Sequence, residues 1–305
     1  MVAISYLAQN RADEAKAVLN TELANNPDNQ TIHSDLYGVA AALNDESGMQ
    51  RELQWAASKP LGAVGTLGYA AVGRMAYLGK FKKAHELSTQ ALRVAKENNF
   101  KDVAAGIAAF EGLIEALGGN FAEARERLTA SRTLSHTRTN LPMAAPTFAL
   151  AEDRTQSEAI IDELRRRYPL DTIVNNVSVP CAQALLESGR GDPAKGIQTM
   201  QVARRFELAP AYGFMPVYQR GLLYLRAKQG QEAAGEFQKI LGYHALGAIM
   251  PAYPLSYVGL ARAYTLTGEV AKSRKAYQDF FALWKDADPD IPILKQAKAE
   301  YAKLQ

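Results

Sequence analysis

The 305-residue chain is 48% apolar and 22% charged, a balance that supplies both a sizeable core and a solvated surface and excludes extended disorder. Thirty-five Lys and Arg stand against 32 Asp and Glu, a formal charge of +3, too near balance for the sustained basic field that binding a phosphate backbone requires. Nucleic acid is therefore not expected as a partner, and the one cysteine, Cys181, excludes both an internal disulfide and an all-cysteine metal cluster.

Taken in chain order, the first segment, 2 to 8, reads as the last turns of a helix, and so abrupt a start points to a longer parent protein. It has no basic region followed by a long apolar core, so it does not read as a signal peptide. No later stretch approaches the roughly 20 apolar residues of a membrane span. A cytoplasmic location is expected, or an extracytoplasmic one if a preceding region carries a span. Helical periodicity then covers 11 to 24, 30 to 43, 46 to 58, 63 to 78, 81 to 97, 101 to 117 and 121 to 134. It continues over 141 to 151, 154 to 167, 172 to 188, 193 to 207, 214 to 229, 231 to 241, 253 to 267, 270 to 285 and 291 to 303. Pro27, Pro60, Pro169, Pro210, Pro251 and Pro289 fall near the proposed connections, where a missing N–H does little harm. Residues 25 to 62 lack a clean glycine turn, the segment 141 to 151 holds Pro142 and Pro146, and a break near 135 to 142 or 168 to 171, within 135 to 171, would split the array into two rigid blocks.

The turns repeat. Leu78-Gly79-Lys80-Phe81-Lys82-Lys83-Ala84 matches Gly118-Gly119-Asn120-Phe121-Ala122-Glu123-Ala124, and Thr267-Gly268-Glu269-Val270-Ala271-Lys272-Ser273 has the same shape. Looser copies lie at Gly191 to Gly196 and Gly230 to Ala233. In the clear copies a glycine ends one helix, an apolar residue packs the turn, and a small residue five places on lets the second helix approach. This is a helical hairpin, and stacked hairpins make a solenoid in which each unit buries its apolar face on its neighbours.

Those turns, with the unit Tyr257, Leu260, Ala261, Tyr264, Gly268, Val270, Ser273, Tyr277 and Phe280, resemble the tetratricopeptide repeat. The resemblance implies an all-α, right-handed solenoid of about eight hairpins spanning 1 to 305 as one array. The stretches from Tyr168 to Asn176, Pro216 to Leu225 and Phe280 to Pro292 look like the C-terminal repeat region of acidobacterial eukaryotic-like serine/threonine kinases and related regulators. The kinase motifs themselves, a Gly-rich loop, His-Arg-Asp and Asp-Phe-Gly, are absent. In the wider family the first helix of each hairpin lines a concave groove that receives a peptide or protein. On that mapping Tyr69, Tyr77, Tyr218, Arg226 and Arg262 are candidate groove residues, the tyrosines competing with ordinary packing between repeats.

Asn175 and Asn176 interrupt an apolar helix start, where they either cap backbone groups or face the groove as donors. His33, His85, His136 and His244 form no local ligand pair, so neither a metal nor another cofactor is expected. Cys181 reads as a small core residue. With no local set of nucleophile, base and oriented donor, catalysis is not expected.

The leading reading is a protein- or peptide-binding scaffold, the interaction region of a larger regulatory protein. The alternative is a small-molecule sensor coupled to an effector; a closed pocket lined by aromatic and polar residues favours the sensor, a long open groove the scaffold. Oligomeric state is not set by these patterns. The last segment, 291 to 305, is expected to cap the array: Pro292 starts the helix, and Ile293, Leu294, Ala297, Tyr301 and Leu304 recur on one face.

Overall fold

The computed structural model describes residues 2–207 and 213–304, without the side chains of Leu61, Ala63 and Leu67, and its regular elements are all helical. Pro210 of the proposed connections lies outside the described residues. Hairpins follow one another: α1 (Val2–Leu7) with α2 (Ala12–Asn25), then α3 (Gln30–Ala42) with α4 (Glu46–Ala57). A third first helix runs through α5 (Pro60–Gly62), the π-helical stretch Ala63–Ala71 and α6 (Val72–Tyr77), and pairs with α7 (Phe81–Glu97). Next come α8 (Lys101–Gly118) with α9 (Phe121–Leu134) and α10 (Leu141–Leu150) with α11 (Arg154–Arg167). A second π stretch, Val174–Ser178, leads into α12 (Val179–Gly189), which pairs with α13 (Pro193–Thr199) and its 3₁₀ continuation Met200–Phe206. Helices α14 (Met215–Arg226) and α15 (Gly230–Leu241) follow, then the short α16 (His244–Gly247), then α17 (Ala252–Leu266) with α18 (Val270–Leu283), and last α19 (Pro292–Ala302).

One residue in each intra-hairpin turn takes the left-handed conformation: Asn10, Asn44, Gly79, Gly119, Glu152, Gly191, Lys228 and Gly268. The turn needs a positive φ to reverse the chain, and glycine meets that need without a Cβ clash while asparagine tolerates it. Residues 25 to 62 therefore do contain a turn of the same type, with Asn44 in the glycine's place. In the turn before α15 the position belongs to Lys228, and Gly230 is already helical. Five places after each of these residues comes Ala15, Met49, Ala84, Ala124, Ser157, Gly196, Ala233 or Ser273, and all are buried. Where serine stands there, its hydroxyl donates to the facing helix, Ser157 to the Ala145 carbonyl at 2.8 Å and Ser273 to the Ala261 carbonyl at 2.8 Å. Burial of the oxygen is thus matched by a hydrogen bond.

Pro142 occupies the first turn of α10, where no N–H is missed, and Pro146 lies inside the helix. The loop before α10 is tied rather than loose: the fully buried Asn140 accepts from Thr137 N at 2.9 Å and donates to the Ser135 carbonyl at 2.6 Å. Arg138 forks onto Asp171, whose carboxyl that guanidinium holds below its usual range.

The array closes on itself. The segment between α15 and α17 enters the concave side of the first three hairpins, where Asn10 donates to the Gly242 carbonyl at 2.8 Å and accepts from Ala245 N at 3.1 Å. The buried Arg74 donates to the Ala248 carbonyl at 3.0 Å. Gly73 permits this approach, since a Cβ there would stand 2.4 Å from the Ile249 carbonyl oxygen. Further along, Trp284 packs edge-on against Phe81 and donates Nε1–H to the Tyr77 carbonyl at 2.9 Å, one of the carbonyls that the end of α6 leaves open. Asp288 N bonds to the Gly79 carbonyl at 2.9 Å, and its carboxylate caps Lys82 N at 2.8 Å. One apolar core accordingly joins Val72, Phe81 and Ile114 with Phe237, Phe280, Trp284 and Leu294. Helix α19 covers α18, as a terminal cap must, and it also touches α8.

Candidate functional site

Because the array closes, the first helices of successive hairpins converge on an axial cavity of about 580 Å³. Ser34 and Asp35 of α3, Tyr69, Phe110 and Leu113 of α8, Met143 and Thr147 of α10, Ser178, Cys181 of α12 and Gln219 of α14 contribute to its wall. The chain from Ile249 to Ala252, which closes the ring, forms another side. Most of this wall is aliphatic, aromatic or thioether. Both π stretches lie against it. The second precedes Pro180, whose ring crowds the carbonyl four residues back and removes a donor, so the backbone widens rather than continuing as an α-helix. Widening carries Ser178 to the cavity, as the first π stretch carries Tyr69.

The candidate residues fall into three groups. Tyr69 is on the cavity wall, its ring 5.7 Å from that of Phe110, and burial pushes its phenol up to about 12. Tyr77 stacks on Tyr253 at 5.9 Å beneath the Arg74 guanidinium, in the seam where the two ends of the array meet. Tyr218 is buried against Phe237 in an edge-to-face pair at 5.8 Å. Arg226 donates to the Ser188 hydroxyl at 3.2 Å. Arg262 forks onto Glu300 at 2.9 and 3.0 Å and so fastens α19 to α17. Asn175 donates to the carbonyls of Tyr168, Pro169 and Asp171, and Asn176 to that of Thr172 at 2.8 Å, so both amides hold the loop and the π turn that follows it.

Three histidines pair with a carboxylate from another helix: His33 with Glu52 at 2.6 Å, His85 with Glu111 at 2.5 Å and His136 with Glu163 at 3.2 Å. His33 also stacks on Trp55 with ring centroids 3.6 Å apart. Among the described residues no group of three or more His, Cys, Asp and Glu is placed to hold a metal ion. Nor is any described helix long and apolar enough to cross a membrane. Cys181 is 3% exposed, and burial pushes its thiol up to about 12, the state of an unreactive packing residue.

Two polar groups on the wall, Asp35 and Gln219, are absent from the sequence-based set. Gln219 is 2% exposed, and its Oε1 accepts no hydrogen bond among the described residues. Asp35 makes no ion pair or hydrogen bond among them, and burial pushes its carboxyl above the ordinary value. A readable signal did exist for Gln219, because Gln219-Arg220 is a polar pair set inside the otherwise apolar face of α14. Nothing local distinguishes Asp35 from a solvated helix residue.

No protein-family model matches the chain, and no curated protein does. Among solved structures it is similar to the crystal structure of yeast Tom70, at 14% sequence identity and a TM-score of 0.42, over 96% of this chain and 58% of that one. The chain thus spans little more than half the length of that structure.

Proposed function

We propose that this chain is a non-catalytic binding module whose recognition site is the axial cavity and whose occupant is a small, largely apolar molecule. The observation that carries the reading is the convergence of six hairpins on one apolar cavity of about 580 Å³, a size and lining that suit a small ligand. The groove that an extended peptide would need is filled, over the first three hairpins, by the chain's own residues 242 to 250. The resemblance to kinase-associated repeats fits a sensor set beside an effector.

Methionine methyl groups report on this site directly. Met143, Met215 and Met250 line the cavity, whereas Met49, Met75 and Met200 pack elsewhere. In protein labelled at the methionine methyls, 4-phenylbutanol should shift the first three resonances saturably and leave the other three in place. Uniform or absent shifts at millimolar probe would remove the cavity from consideration.

A second reading, a peptide-binding scaffold, draws on the same internal segment: the groove of the first three hairpins does accept irregular chain, held by Asn10 and Arg74. If that groove is a peptide site, the double variant Asn10→Ala, Arg74→Ala should take up a synthetic peptide of residues 242 to 251 that the unaltered protein excludes. Binding to neither protein would count against a peptide partner there.

A further inference from the structure

We infer that the ligand of the axial cavity carries a protonated amine, seated against Asp35, on an apolar body. This rests on the cavity being the recognition site, and it adds the chemistry of the occupant.

The charge on the wall is one-sided. Among the described residues, two ionisable side chains with permanent charge border the cavity, Asp35 and Arg138. The Arg138 guanidinium is already matched by Asp171 across the loop, through two of its nitrogens. Asp35 makes no hydrogen bond or ion pair among the described residues; burial raises its proton affinity, the charge of the N-terminal amine lowers it and that of Glu22 raises it. A partly desolvated anion of this kind is satisfied by a cation that arrives with the ligand, and an ammonium offers both the charge and the donors.

Gln219, also on the wall, keeps its Oε1 closed off from the cavity space as well as from any donor among the described residues, so Asp35 is the group that selects the charge of the occupant. Elsewhere the wall presents Tyr69, Phe110, Leu113, Ile173 and Phe214, which favour an aryl or alkyl body and contribute no charge. A carboxylate or phosphate ligand would meet Asp35 with like charge. The arrangement therefore discriminates amine from acid by repulsion as well as by attraction.

The test uses three probes of one shape, 4-phenylbutylamine, 4-phenylbutanol and 4-phenylbutyrate, titrated into the full chain near neutral pH at low ionic strength while the Met143, Met215 and Met250 methyls are followed. The amine is expected to bind more tightly than the alcohol by about tenfold or more, the worth of a hydrogen bond to a charged partner, and the butyrate most weakly. Asp35→Asn should abolish the preference for amine over alcohol while leaving alcohol binding in place. Gln219→Leu leaves Asp35 in place and should keep the amine the tighter-bound of the two. Equal binding of the three probes, or an amine preference that survives Asp35→Asn, overturns the inference but leaves the cavity as the binding site. If none of the probes moves the three methyls, inference and binding site fall together. Displacement of bound amine by a lysine-rich peptide, but not by small amines, would reassign the occupant to a protein partner and likewise overturn it.

Discussion

Replacing Glu236 with glutamine should destabilise the chain by roughly 3–5 kcal/mol, the cost of removing one member of a buried ion pair. Arg220 is 1% exposed, and its Nε and Nη2 meet the two Glu236 oxygens at 2.8 and 2.5 Å. Glu207 pairs with its remaining nitrogen. Burial works against the guanidinium charge, and the Glu236 and Glu207 carboxylates overcome it, holding Arg220 above its usual pKa. Glutamine leaves that charge in the core with one carboxylate instead of two. The triple variant Arg220→Met, Glu236→Leu, Glu207→Met removes all three charges of the cluster and should recover most of the loss, because apolar side chains of similar volume avoid the desolvation cost. Urea denaturation of the two variants beside the parent measures both values. If Glu236→Gln is within 1 kcal/mol of the parent, the ion cluster is not buried in the way described.

Trp284→Ala should cost a similar amount, roughly 3–5 kcal/mol for a buried aromatic truncated in a core, and should also open the ring. The indole is 3% exposed, lies between Phe81 and Phe280, and bonds to the Tyr77 carbonyl. It therefore belongs at once to the last hairpin and to the third. Loss of this contact removes the anchor of the seam while each hairpin keeps its own partners. The expected result is a lower melting temperature together with a larger radius of gyration by small-angle scattering. Trp284→Phe keeps the packing and loses the single hydrogen bond, so it should cost about 1 kcal/mol without expansion. Removing residues 291 to 305 should act in the same direction, because α19 covers Tyr277 and is held by Arg262 through Glu300. A Trp284→Ala protein that melts early yet keeps its radius would show that the ring is closed by other contacts.

Much of the fold is legible in the sequence itself. The glycine turns at Gly79, Gly119 and Gly268 and the small residues five places on are local requirements of a helical hairpin, so they recur wherever a hairpin recurs. Departures came where another residue met the same requirement: Asn44, Glu152 and Lys228 accept a positive φ without being glycine, and a search for glycine passes over them. The π stretches were not legible either, since widening a turn depends on Pro180 and on the neighbours packed beside it. Of the candidate groove residues, Tyr69 faces the cavity, whereas Tyr77, Tyr218 and Arg262 take part in packing or tethering. A tyrosine on the first helix of a hairpin meets the groove or its neighbour according to the curvature of the whole array, which no single repeat encodes.

By itself the sequence determined the helices, their pairing into hairpins and the small-residue contacts within each pair, because those interactions join residues within a few tens of positions and repeat with the chain. Closure of the array was decided by tertiary structure alone. Asp288 meets Lys82 across 206 positions and Trp284 meets Tyr77 across 207, and contacts of such separation leave no period to read. The cavity, with Asp35 and Gln219 on its wall, is a consequence of that closure. Its residues come from six hairpins and from the closing segment 249 to 252 and share no motif, since what unites them is only the space that the closed ring leaves at its axis.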